Sequence, residues 1–277
     1  MRKKSAPIGR PAQRLMLPLC AMLATCLLAG GSRADVSVAP TVLVFDGEAG
    51  TKAITVKNTG AKEQVYRISL HNFRMLPDGH MVSAENPEED EHFATTMVRY
   101  SPRELVLAPG GSEVVRFRVA TLRPGEYRTH VLVQQVPDVD ALQTSPFQHD
   151  DSVSMDLQAV FGVAIPLILR QGDLPTRVTF GKARLTALPD GTPAVAVRLE
   201  RSGARSVSGA LSLLRDGKEV GIWDGISVYA PTPYRDLLLP VDAKDIAALR
   251  DGSLTAAFHE PADIRNPAAA TAVVELN

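Results

Sequence analysis

Apolar residues recur at every second position from Val153 to Leu169: Val153, Met155, Leu157, Ala159, Phe161, Val163, Ile165, Leu167 and Leu169. Side chains alternate faces along a strand, so this spacing predicts one long strand over 153–170 with an unbroken apolar row. The positions between them begin polar, with Ser154, Asp156 and Gln158, and turn small or apolar from Val160. The first half is expected to be wet on one face, the second half dry on nearly both. Such a row is longer than one small sheet can cover. It needs a partner, either a second domain of the same chain or another protein.

Shorter alternating runs precede it. Val42 to Phe45 ends at Asp46-Gly47, and Ala53 to Lys57 ends at Asn58-Thr59-Gly60. Tyr66, Ile68 and Leu70 share a face, and a polar stretch follows from Pro77 to His92. Arg103 to Leu107 closes at Pro109-Gly110-Gly111, Val115, Phe117 and Val119 alternate with Arg116 and Arg118, and Tyr127 to Val136 runs to Pro137. With the long strand this makes about seven, the count of an immunoglobulin-like sandwich. The connection from Pro137 to Ser152 is long for a loop between paired strands. Gln171 to Pro175 punctuates the chain. A second set of strands follows, with a hairpin turn at Asp216-Gly217 and one short helix expected over Asp242 to Arg250. The fold class is therefore all-β, two immunoglobulin-like β-sandwich domains in tandem, spanning 35–171 and 172–277.

The first 34 residues change the composition. A basic start (Arg2, Lys3, Lys4, Arg10, Arg14), an apolar run from Leu15 to Ala29 and Ser32-Arg33-Ala34 predict a secretory signal peptide cleaved after Ala34. Both cysteines, Cys20 and Cys26, fall within it, so the mature chain is expected to have neither a disulfide nor a thiolate metal site. The leader holds six of the 30 Lys and Arg and none of the 31 acids, leaving 24 bases and a net charge of −7. With no basic cluster, nucleic acid is disfavoured as a partner. No membrane span is expected in the mature chain.

In order and spacing, four segments resemble the periplasmic pilus chaperones of the PapD type. These are Val36-Ser37-Val38 with Thr41 and Val44 to Gly47; Val56 to Gly60; Leu107 to Gly110 with Val115 to Val119; and Glu126 to Pro137. The resemblance covers most of the mature chain. It implies a chaperone that stabilises pilin-like subunits with an incomplete sandwich, lending them a strand edge with alternating apolar side chains, as in donor-strand complementation. Met155, Leu157, Ala159, Phe161 and Val163 would enter the subunit's groove, with Thr41 as a cleft polar group. Arg170, Glu126 and Asp251 would form an interdomain ion-pair cluster. No cofactor is implied, and the resemblance leaves open whether an outer-membrane usher takes part.

The chain departs from the family where two basic side chains grip the subunit's terminal carboxylate. Val42 and Pro166 stand there, and neither can bond a carboxylate. That departure keeps a second reading: an exported two-domain structural or adhesive protein without chaperone activity. Histidines 71, 80, 92, 130, 149 and 259 show no metal-ligand spacing. There is no nucleophile elbow, phosphate loop or dinucleotide fingerprint, so no enzyme is expected.

Overall fold

The computed structural model describes residues 35–88, 90–137, 160–242, 254–262 and 264–274. The leader, residues 153–159, the expected helix over 242–250 beyond its first residue, and Asp251 lie outside them. Every regular element among the described residues is a strand. In chain order these are β1 (Val36–Ala39), β2 (Leu43–Asp46), β3 (Gly50–Asn58), β4 (Gln64–His71), β5 (Phe73–Met75), β6 (Met81–Ser83), β7 (Val98–Ser101), β8 (Glu104–Leu107) and β9 (Ser112–Val119). Then come β10 (Gly125–Gln135), β11 (Gly162–Gln171), β12 (Thr176–Ala187), β13 (Pro193–Gly203), β14 (Val207–Arg215), β15 (Lys218–Val228), β16 (Tyr234–Pro240), β17 (Leu254–His259) and β18 (Ala269–Val274).

The strands up to Gln171 form two sheets, β1-β3-β9-β7 and β2-β11-β10-β4-β8, with β5 and β6 as a separate hairpin. The two sheets close on one core that includes Phe45, Ile54, Tyr66, Phe117, Val131 and Leu167. Alternation explains the layering. In β9, Val115, Phe117 and Val119 are buried while Arg116 and Arg118 face water. The first strand is split between sheets: β1 pairs antiparallel with β3, and β2 crosses over to lie parallel to β11. This is the immunoglobulin arrangement of two Greek-key sheets. From Thr176 onward, β12-β13-β16 and β15-β14-β17-β18 enclose a separate core around Leu199, Leu211, Leu213 and Phe258. The hairpin expected at Asp216-Gly217 joins β14 to β15. Arg215 faces Lys218 across it, and both turn residues have φ near +50° to +80°, as a two-residue turn of this kind requires.

Part of the polar stretch after Pro77 is structured. Leu76 and Gly79 close a tight turn, and β5 and β6 pair through Met75 and Met81. The hairpin is anchored on the second sandwich: Thr232 Oγ1 donates to the Met75 carbonyl at 2.7 Å, and Asp236 N donates to the Pro77 carbonyl at 2.7 Å.

Asn58 ties together the bottom of the first sandwich. It is fully buried. Its Nδ2 donates to the carbonyls of Lys62 (2.7 Å) and Leu107 (2.9 Å), and its Oδ1 accepts from Gly60 N and the Tyr66 hydroxyl. Asn58→Ala strands several of these groups away from water, at about 1–3 kcal/mol for a buried group left unsatisfied. A urea midpoint lowered accordingly, with an unchanged slope, is the expected result.

Candidate functional site

Two features distinguish the region where the sandwiches meet: a strand with one free edge, and a buried cluster of charges beneath it.

β11 pairs with β10 along its whole described length, from Gly162↔Gln134 to Gln171↔Gly125. On its other side β2 joins only at Leu167↔Leu43 and leaves at Arg170↔Asp46. From Gly162 to Pro166 the strand therefore has a single neighbour among the described residues. Pro166 belongs there, since proline is excluded from central strands but tolerated on edges. One face of β11 climbs out of the core along this edge. Leu167 and Leu169 are sealed, Ile165 is 3% exposed, Val163 is half-buried against the core, and Phe161 is 42% exposed. Phe161 precedes the strand, and its carbonyl accepts from Gln135 N at 3.0 Å.

The opposite face of β11 looks toward the second sandwich. Ile168 packs with Met75 and Tyr229 in a small third core. Above it a cavity of about 240 Å³ is lined by Phe73, Met75, His130, Pro166, Tyr229 and Arg235. Val42 is 41% exposed and Thr41 is also exposed, both ahead of β2.

His130 lies in this cleft, 4% exposed, edge-on to Phe73 at 5.2 Å and to Tyr229 at 6.1 Å, with Nδ1 unpartnered. Burial, reinforced by the Arg128 charge, pulls its pKa from 6.5 down to about 3. The neutral ring thus contributes its full stability above pH 6.5. Below that the unfolded chain takes up the proton first, and stability falls by up to about 1.4 kcal/mol per pH unit until the folded form also protonates near pH 3. His130→Phe is expected to flatten the stability profile between pH 6.5 and 5. An unchanged slope in chemical denaturation would locate the proton uptake elsewhere.

The charged cluster is built across the two sandwiches. Glu126 on β10 and Arg170 on β11 stand directly opposite in the ladder, both side chains about 95% buried. Arg170 Nε donates to Glu126 Oε2 at 2.8 Å. Glu126 Oε1 accepts from Ser206 N at 2.9 Å and from the Ser206 hydroxyl, while Arg170 Nη2 donates to the Ser206 carbonyl at 3.0 Å. Ser206, between β13 and β14 of the second sandwich, is thus gripped by both members of the pair. Next to it Arg205 pairs with Glu260 at 2.7 Å, also fully enclosed, and the Glu260 carboxylate accepts from Ser208 N and Ala268 N. Of the three residues expected in an interdomain cluster, Arg170 and Glu126 are in contact, on neighbouring strands of the first sandwich. Asp251 lies outside the described residues, and among those residues Ser206 is what the second sandwich offers Glu126. Nothing in the sequence around Ser206, Arg205 or Glu260 marks them. Met155, Leu157 and Ala159 lie outside the described residues.

Each sandwich thus holds one buried ion pair, Ser206 bonds the first pair to the second sandwich, and among the described residues β11 has a second neighbour only from Leu167 onward. No family model matches the chain, and no curated protein matches it. Among solved structures it is similar to several fimbrial chaperones. One match is to the CsuC–CsuE chaperone–tip adhesion subunit pre-assembly complex of Acinetobacter baumannii, at 11% identity, covering 87% of this chain and 98% of that one, with a TM-score of 0.48. Another is the Pseudomonas aeruginosa CupB2 chaperone, at 15% identity over 86% of this chain and 100% of that one, with a TM-score of 0.45. A third is the E. coli chaperone DraB, at 15% identity over 87% and 96%, with a TM-score of 0.44. At these values the geometry of the chain's own strands must carry the functional reading.

Proposed function

We propose that this protein is a periplasmic chaperone for pilin-like subunits, which it stabilises by lending them the edge of β11. The observation that carries this reading is the apolar row on β11. It passes from sealed at Leu167 to 42% exposed at Phe161 over the same residues, Gly162 to Pro166, where the strand has no second neighbour among the described residues. An unpaired edge with apolar side chains on one face is a template for a foreign strand. A subunit lacking its last strand would gain main-chain hydrogen bonds from that edge and apolar cover from Phe161, Val163 and, further along, Ala159, Leu157 and Met155. The buried cluster around Arg170 and Glu126 holds the second sandwich at a set angle beside the edge. With Val42 and Pro166 at the places of the family's basic pair, binding rests on the strand.

Co-expression with an incomplete-sandwich subunit tests the reading. A chaperone rescues the subunit from degradation as a 1:1 complex, and amide exchange slows over residues 162–165. Failure to rescue any such subunit favours the two-domain structural or adhesive protein instead. Export enters the same proposal: the mature protein should begin at Asp35 on N-terminal sequencing.

A further inference from the structure

Four arginines and three glutamates are buried around the meeting of the two sandwiches: Arg128, Arg170, Arg201 and Arg205, with Glu91, Glu126 and Glu260. Arg170 is paired with Glu126 and Arg205 with Glu260. Glu91 is held at 2.6 Å by both arms of Arg74, a residue outside this buried set. Among the described residues, Arg128 and Arg201 are left with no carboxylate at ion-pair distance.

Arg201 is 7% exposed and is fixed by carbonyls alone. Nε donates to Thr232, Nη1 to Gly203 and Arg205, and Nη2 to Pro231 at 3.3 Å, leaving one Nη2 hydrogen unused. Arg128 is 6% exposed. Its backbone is pinned between β11 and the His92–Ala94 segment, and its guanidinium lies over the Tyr229 ring at 4.3 Å. That guanidinium makes no hydrogen bond among the described residues, and its Nε is buried without a partner. Arginine does not shed its proton in proteins, so among the described residues both are buried positive charges whose nearest carboxylates, Glu126 for both and Glu91 for Arg128, stand beyond ion-pair distance, a condition that folded proteins avoid unless something compensates it.

Both arginines line one cavity of about 290 Å³. We infer that this cavity binds a small oxyanion, a carboxylate or phosphate group, between Arg128 and Arg201. Three carboxylates also line it: Glu91 is held by Arg74, Glu126 by Arg170 and Ser206, and the third, Asp90, is open to water. Glu126 acts electrostatically on Arg128 and Arg201 as well, so one carboxylate faces three guanidinium groups. Asp90 and His92 are exposed at the rim. Planar guanidinium forks match carboxylate and phosphate oxygens. Burial lowers the pKa of both arginines, the signature of charge removed from water without full replacement of its partners. The site stands apart from the β11 edge and does not depend on it.

The test is calorimetric titration of the mature protein with sodium phosphate and with sodium acetate, against chloride at matched ionic strength. Saturable 1:1 binding of either anion, weakened about tenfold or more in Arg128→Gln and unchanged in the exposed-arginine control Arg177→Gln, is the expected result. Phosphate alone binding defines a tetrahedral site, and acetate binding defines a carboxylate site. Arg128 makes no hydrogen bond to lose, so its variant should fold. Should it not, a thermal midpoint of the unaltered protein that rises saturably with the anion and not with chloride still supports the site. No saturation with either anion, or equal binding by Arg128→Gln, overturns it.

Discussion

Arg170→Ala lowers the free energy of unfolding by about 3–5 kcal/mol, the cost of leaving a buried carboxylate without its counter-charge. The magnitude follows from where the pair sits. Both side chains are about 95% enclosed, and Glu126 would keep only the Ser206 donors after Arg170 is lost. Arg67→Ala is the matched control. Its pair with Glu104 is 3.4 Å long and more than half exposed on both sides, so it should change stability by less than about 1 kcal/mol. Replacing both members together, Glu126→Leu with Arg170→Met, should recover only part of the loss: an apolar pair needs no counter-charge, but Ser206 loses its acceptor and Arg128 and Arg201 lose the Glu126 charge. Urea unfolding reads all three. If Arg170→Ala costs no more than Arg67→Ala, the cluster does not lock the two sandwiches.

Phe161→Asp is expected to abolish the proposed complex with a subunit while leaving the free protein folded. Burying a phenylalanine contributes about 1.5–3 kcal/mol, and placing a carboxylate in the same apolar groove adds a desolvation cost of several kcal/mol. Together these amount to a loss of more than about a hundredfold in affinity. The free protein tolerates the change because Phe161 is 42% exposed and the residues beneath it, Ile165 and Leu167, keep their contacts. Val163→Asp should behave differently. That side chain is packed against the core, so the variant should lose stability as well as binding. Co-purification of tagged protein with subunit, alongside the melting temperature of each variant alone, separates the two. A Phe161→Asp protein that still carries subunit would show that the row on β11 is not what the partner borrows.

The split between what the residues announce and what they conceal follows the range of the forces involved. Alternation in β9 and β11, the Asp216-Gly217 hairpin and the two-sandwich architecture were legible because period-2 patterning and turn chemistry act over a few residues. The pairing of Glu126 with Arg170 was legible only through resemblance, since 44 residues separate them. The hairpin at β5 and β6 was missed because its turn is short and its strands have three residues each, too few to show a period.

Taken alone, the chain determined its class of fold and the row of apolar side chains on β11, both written in local spacing. Only the tertiary structure decided that β2 joins that strand as late as Leu167, that Ser206 lies between Glu126 and Arg170, and that Arg128 and Arg201 share a cavity with no carboxylate at ion-pair distance among the described residues. These are relations between residues far apart in the chain, 80 positions for Glu126 and Ser206 and 167 − 43 = 124 for Leu43 and Leu167. They come into being only when two sheets close on a core and a second sandwich packs against the first, and burial then gives each charge its consequence.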